Sequence, residues 1–176
     1  TVVRERCPAG NRDGGCDARE LTPLPVNSSD STSCSHNLEH YHARGVPRVL
    51  AAFWHLLGRD GFAFFRVPDM REVMHTVVRQ DLDIDDVLYQ SSAGPITVRD
   101  VIYGYGKEIE ESGNAFYAHK TGFTQKSLRA AHVRAGFPVV LVGAATLEIM
   151  VLALYRPAKA YHSRPFVRHV PRACQH

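Results

Sequence analysis

The residues best suited to chemistry lie in one run, His36-Asn37-Leu38-Glu39-His40. On a helix, this H-x-x-E-H spacing places two imidazoles on one face, where they can share a zinc ion while Glu39 serves as base. A third ligand must then come from elsewhere, and Glu108, Glu110 and Glu111 are the acidic candidates. The helical context is poor, because Gly45 and Pro47 follow closely, and a five-residue match is cheap in a chain with 10 histidines. The plainer reading has His36 and His40 capping or packing at a strand end. Zinc hydrolysis is therefore the minor alternative, and the preferred reading assigns no metal. Further along, Tyr117, His119 and Phe123 offer aromatic and imidazole surface, as do Tyr103 and Tyr105 around Gly104. Packing of a loop onto a sheet accounts for such residues more simply. Glu110-Glu111 reads as a solvated helix face.

The elements that must position these residues are legible from periodicity. Residues 1–30 are rich in turn formers and read as loop, apart from a short strand at Val2–Val3. Ser31–Ser35 is β-tolerant but polar. Val46, Val49, Leu50, Phe53, Leu56 and Leu57 recur at helical spacing, predicting an amphipathic helix over 46–57 that Gly58 and an Arg59-Asp60-Gly61 turn would end. Phe62–Val67 is the clearest strand, closed by Pro68-Asp69. A second helix is expected over Met70–Gln80 with Val73, Val77 and Val78 on one face, then an acidic loop over 81–86. A third helix is expected within 98–112, weakened by Gly104 and Gly106. Thr124 is placed to cap a helix that Gly136 ends. Val139–Val142 and Leu147–Leu154 read as two strands joined by a Gly-Ala-Ala-Thr turn. The alternation suggests an α/β fold.

The 176 residues fit one domain, and the apolar fraction of 44% and charged fraction of 22% are ordinary for a globular protein. The longest apolar run, Phe137–Ala145, is broken by Pro138 and Gly143 and is too short to span a bilayer. Residues 1–15 have no apolar core of the signal-peptide kind, so a cytoplasmic protein is expected, with no membrane partner. Cys7, Cys16, Cys34 and Cys174 are scattered without a C-x-x-C pair, so free thiols are expected rather than a zinc ribbon. The net charge of +3 does not indicate nucleic acid. Charge is concentrated instead in 156–176, where Arg156, Lys159, Arg164, Arg168 and Arg172 occur with no acid; this reads as a disordered basic tail.

One succession of motifs is more specific. Asp17-Ala18-Arg19-Glu20-Leu21, Leu24-Pro25, Asn27-Ser28-Ser29-Asp30 and Ser33-Cys34-Ser35-His36-Asn37-Leu38-Glu39-His40 follow one another. After them come Gly58-Arg59-Asp60-Gly61-Phe62-Ala63-Phe64-Phe65-Arg66-Val67-Pro68-Asp69, His119-Lys120-Thr121-Gly122-Phe123-Thr124, and Ala135-Gly136-Phe137. In order and spacing, residues 17–155 resemble the later part of a class I S-adenosylmethionine-dependent methyltransferase domain, of the methyltransferase type 11-like kind. Ser29-Asp30 stands where that family usually has Phe-Asp.

The resemblance implies a partial Rossmann-like fold, a mostly parallel sheet flanked by helices with a C-terminal antiparallel strand pair. It implies S-adenosylmethionine as cofactor, with Asp17 and Ala18 on the adenine side and Cys34, Ser35 and His36 bordering the methionine end. By the same resemblance, His36 and His40 orient the methyl acceptor or take its proton, and Tyr117, His119 and Phe123 belong to the segment covering a small-molecule substrate. Two departures stand out. The family's first strand and Gly-x-Gly-x-Gly loop have no counterpart, since 16 residues before Asp17 are too few for that unit. The polar Ser31-Thr32-Ser33 occupies a strand that is apolar in the family, as a doubly buried parallel strand should be. The expectation is a methyltransferase-like protein of reduced or no activity alone, completed by an upstream segment or a partner chain. A non-catalytic binding or structural remnant of the fold is the alternative, ahead of the zinc hydrolase.

Overall fold

The computed structural model describes residues 17–21 and 23–156. Residues 1–16, including Val2–Val3, Cys7 and Cys16, and the tail beyond Arg156 with Cys174 lie outside the described residues.

The fold is α/β. A four-stranded sheet is built from β1 (Ser29–Ser35), β2 (Leu57–Pro68), β5 (Val139–Ala145) and β6 (Glu148–Leu154), in the order β1-β2-β6-β5. Among the described residues, five α-helices accompany it: α1 (Val46–Leu56), α2 (Met70–Gln80), α3 (Val98–Tyr103), α4 (Gly106–Ser112) and α5 (Gln125–Arg134). The expected C-terminal antiparallel pair is β5–β6. The expectation of a mostly parallel sheet is corrected: only β1 and β2 are parallel, while β6 runs antiparallel to both of its neighbours. The parallel character rests on a single crossover through α1, and the closing hairpin reverses direction on β2 itself.

The main core fills one face of this sheet. Ala63, Phe65 and Val67 of β2 and Ile149, Val151 and Ala153 of β6 alternate inward. They meet the stripe Val46, Val49, Leu50, Phe53 and Leu56 of α1 and Leu128 of α5. Phe65 is the hub, its ring 5.1 Å from Phe53 and 4.5 Å from His132. Removal of this apolar area from water is the main source of stability here.

β1 explains its own polarity. Thr32 and Cys34 point into the core while Ser31 and Ser33 are exposed. Among the described residues β1 pairs with β2 alone. A half-buried edge strand alternates in this way, and the serines meet water.

Several local expectations hold and others shift. Pro47 sits in the first turn of α1. Thr124 caps α5 in a reciprocal capping box with Ser127. Gly58–Gly61 does not separate helix from strand, since β2 begins at Leu57. The pairing of β1 with β2 instead takes five steps along β2, Leu57 to Phe62, against two along β1, Ser29 to Ser31, so the glycine segment is a bulge. Val78 is 82% exposed and does not share the inner face of α2 with Val73. The β5–β6 turn is Thr146-Leu147, with Leu147 at φ 59°, and Gly143–Ala145 remains strand. Residues 98–112 form two helices broken at Gly104-Tyr105.

Beyond the expected elements the chain forms a hairpin of β3 (Val87–Ser91) and β4 (Gly94–Thr97). It packs with α2 and α3 around a second, smaller cluster of Val73, Ile96, Val101 and Leu147.

Candidate functional site

β1 ends at the side of the sheet where parallel strands present their C-terminal ends, the usual place for ligands in α/β folds. The His36 N–H still bonds to Arg66 O at 2.9 Å, but its φ of 46° turns the chain sharply out of the sheet. A β-carbon is strained at such a φ, and strain of this kind gathers at functional sites. A single 3₁₀ turn, Leu38–His40, follows. His36 and His40 therefore do not share a helix face, and the H-x-x-E-H geometry of the minor zinc alternative does not form.

The turn aims His36 across the sheet. Its Nε2 lies 2.8 Å from Glu148 Oε1, and its Nδ1 lies 3.5 Å from Glu39 Oε1. Arg66 grips the other Glu148 oxygen, with Nε at 3.2 Å. Burial alone would depress the His36 pKa, but the Glu148 and Glu39 carboxylates outweigh it and raise the imidazole to about 9. Burial would likewise raise the Glu148 carboxyl, yet His36 and Arg66 hold it below its ordinary value.

Glu39 is 2% exposed, and neither of its carboxylate oxygens has a hydrogen-bond partner. The 3.5 Å approach of His36 is an ion-pair distance without hydrogen-bond geometry. The backbone carbonyl of Glu39, by contrast, accepts from the N–H groups of Lys120 (2.8 Å) and Thr121 (3.2 Å). Lys120 Nζ donates to His40 O at 3.1 Å. These bonds pin the segment carrying Tyr117 and His119 against the segment carrying Glu39 and His40, 80 residues away in sequence.

The aromatic and imidazole residues collect at this junction. The His40 ring stands 5.4 Å from Phe116 and 4.9 Å from His119. Phe116 also meets Tyr41 at 5.7 Å. The His119 Nδ1–H donates to Val101 O at 2.9 Å, and burial lowers the His119 pKa. Tyr117 is exposed. Phe123 is buried against the main core, and its backbone bridges Asp69.

On the other side, Asp17 caps a 3₁₀ turn over Ala18–Glu20. Its carboxylate is engaged by Arg19, whose Nε lies 3.0 Å from both oxygens, and this holds the Asp17 carboxyl below its usual range. The Ala18 N–H donates to Tyr41 Oη at 3.2 Å, and Ala18 itself is buried. The Asp17–Ala18 turn is thus tied to Tyr41, and Ala18 and Tyr41 pack in the same core cluster as Cys34 of β1. The Cys34 thiol is fully buried and its pKa is pushed up to about 12, chiefly by desolvation, so only the backbone of Cys34 could border a ligand. Ser35 is half-buried beside it. Glu108, Glu110 and Glu111 belong to α4 and do not join Glu39. Among the described residues, the group able to hold a metal is Glu39, His40 and His119.

Of the expected site residues, His36 follows the end of β1, His40 and His119 meet beside Glu39, Tyr117 is exposed next to Phe116, and Ala18 is bonded to Tyr41. Sequence reasoning did not identify Glu148, Arg66, Lys120, Tyr41 and Phe116 as partners of the site. Glu148 lies 112 residues from His36, and no local pattern links the two.

No family model matches the chain, and no curated protein is significantly similar to it. Similar solved structures do exist. An O-methyltransferase family protein from Burkholderia thailandensis is 10% identical, with TM-score 0.47, covering 79% of this chain and 34% of its own. A SAM-dependent methyltransferase from Archaeoglobus fulgidus is 12% identical, with TM-score 0.49, covering 79% of this chain and 65% of its own. The 1,6-didemethyltoxoflavin-N1-methyltransferase of B. thailandensis, solved with 1,6-didemethyltoxoflavin and S-adenosylhomocysteine, is 19% identical, with TM-score 0.44, covering 79% and 48%. The chain thus spans less than two thirds of the length of each.

Proposed function

We propose that this chain is the cofactor-edge and acceptor side of an S-adenosylmethionine-dependent methyltransferase acting on a small molecule in the cytoplasm. The observation that supports the reading is that the Asp17–Ala18 turn bonds to Tyr41 and packs in the same core cluster as Cys34 of β1. Those are the two segments that the resemblance assigns to the adenine and methionine ends of one cofactor.

The fit to the cofactor is partial. Ala18 is packed, the Cys34–Ser35 backbone is available, and Asp17 is held by Arg19. Among the described residues, no glycine-rich turn joins a strand to a helix, so nothing there lets a backbone close on the methionyl group. That half of the grip comes, in this reading, from outside the described residues or from a partner chain that completes the sheet. Bound S-adenosylmethionine supplies an electrophilic methyl group, and transfer is an in-line displacement in which alignment does most of the work.

His36 faces a carboxylate with each ring nitrogen, so it presents donors rather than a free lone pair and serves as a charged anchor. His40 and His119 flank the acceptor, with Tyr117 at the rim and Phe123 packing beneath. The chain alone then has little or no activity. A non-catalytic module of the same fold is favoured by one observation, the engagement of the Asp17 carboxylate by Arg19, which leaves it unavailable to a ligand.

Equilibrium calorimetry with S-adenosylhomocysteine tests the reading on this chain and on a version extended by the sequence encoded upstream. No tight binding by the chain alone and micromolar binding by the extended protein are expected. Tight binding by the chain alone overturns the incomplete grip. Absence of binding by an extended protein that carries a Gly-x-Gly-x-Gly unit overturns the methyltransferase assignment.

A further inference from the structure

We propose that Glu39, His40 and His119 form a binding site for a divalent first-row transition cation, with zinc the best fit. A carboxylate oxygen of Glu39 and one ring nitrogen from each histidine lie within 4.8 Å of one another. Ligand atoms around a tetrahedral zinc stand about 3.4 Å apart, so a modest inward rotation of the side chains closes the site.

Each ligand carries its own sign of an absent partner. The Glu39 carboxylate is buried with no hydrogen bond to either oxygen, a costly state for a polar group and more so for a charged one. His36 takes up one oxygen only at ion-pair distance, which leaves the other open. His119 donates its Nδ1–H to the Val101 carbonyl and keeps the Nε2 lone pair free. A backbone carbonyl that fixes the tautomer is the usual second partner of a metal-bound histidine. His40 lies between two carbonyl oxygens, Ala118 O at 3.3 Å from Nδ1 and His36 O at 3.1 Å from Nε2. A neutral ring has one N–H, so it donates to one of these, and the lone pair of the other nitrogen faces a carbonyl oxygen, a repulsive contact that the ring must turn away from to ligate a cation.

The scaffold keeps the three together. Glu39 O accepts from Lys120 N and Thr121 N, which sets the spacing between the two ligand-bearing segments. Two imidazoles with one carboxylate suit zinc and its neighbours, whereas magnesium and calcium want oxygen sets. Three protein ligands leave a position for a substrate oxygen or water, as in catalytic rather than structural sites. The ligand set is not that of the H-x-x-E-H pattern, because His119 takes the place of His36. The inference rests on ligand geometry: it shares His40 and His119 with the methyl-transfer reading, and cation binding is tested without S-adenosylmethionine.

The test uses the full chain, stripped with a chelator and titrated with Zn²⁺, Co²⁺ and Mg²⁺. One Zn²⁺ or Co²⁺ per chain is expected, with visible d–d absorption for Co²⁺, a higher melting temperature, and no comparable effect of Mg²⁺. Glu39→Gln and His119→Ala should each weaken binding by about 100-fold, while His75→Ala, on an exposed position of α2, should not change it. Circular dichroism of the isosteric E39Q protein separates loss of ligand from loss of fold. Absence of stoichiometric binding, binding indifferent to both ligand substitutions, or binding of Mg²⁺ alone overturns the proposal.

Discussion

His132 is a histidine held neutral by the core. It lies in the last turn of α5 with no exposed surface, its Nδ1–H donating to Leu128 O at 2.8 Å and its Nε2 without a hydrogen-bond partner. Desolvation lowers its pKa to about 4, against the smaller opposing effect of the Leu128 bond. The unfolded chain binds this proton near the ordinary value of 6.5, so between 6.5 and 4 the unfolded state holds more protons than the native one. The stability that His132 confers in its neutral form is therefore complete above pH 6.5 and declines as pH falls toward 4. The loss should be on the order of 3 kcal/mol. Urea melts at pH 7 and pH 4.5 measure it, and His132→Phe should remove the part of the acid sensitivity that belongs to this ring. The contrast with His36 is instructive. Two carboxylates raise one histidine while the apolar rings of Phe65 and Phe137 surround the other, and nothing in the local sequence of either foretells which.

At the scale of elements, the joint between α3 and the 115–121 segment positions His119. Gly104 ends α3 at φ 102°, and a β-carbon there would stand 2.4 Å from Tyr117 O. The His119 N–H donates to Tyr103 O, and its ring to Val101 O, so both anchors depend on that close approach. Gly104→Ala combines a strained φ with a backbone clash, and its expected cost is about 1–3 kcal/mol. Faster hydrogen exchange at His119 and Lys120, with β2 and β6 amides little changed, is the corresponding local signature. The glycine looked in sequence like a mere weakness in one long helix. Its function as the point where two segments touch depends on contacts that sequence periodicity does not record.

For the whole molecule, the two apolar clusters set different local stabilities. The main cluster joins α1, α5 and the sheet, whereas the smaller one ties α2, α3 and the β3–β4 hairpin through four buried residues. Opening free energy scales with the apolar surface that must be exposed, so the hairpin and α3 should open without global unfolding. Native-state hydrogen exchange should show their amides exchanging at a lower free energy than Phe65 or Val151, and a single common value across both regions would contradict this. No helix among the described residues is long and apolar enough to cross a membrane.

The sequence by itself determined the helices α1, α2 and α5 nearly to their ends, the strand around Phe62–Val67, the closing strand pair, and the candidacy of His36, His40, Tyr117 and His119. These follow from side-chain period and from capping residues, which act over a few neighbours. The tertiary structure alone decided the direction of β6 beside β2, the burial of alternate residues in β1, the break at Gly104, and the partners of each histidine. Strand direction depends on which surfaces can be buried together, and the charge of His36 depends on Glu148, 112 residues away. Glu39 makes the difference plain. Its place in a five-residue pattern suggested a helix-borne zinc base, but a left-handed turn at His36 removed that helix and left Glu39 buried, facing His119 instead.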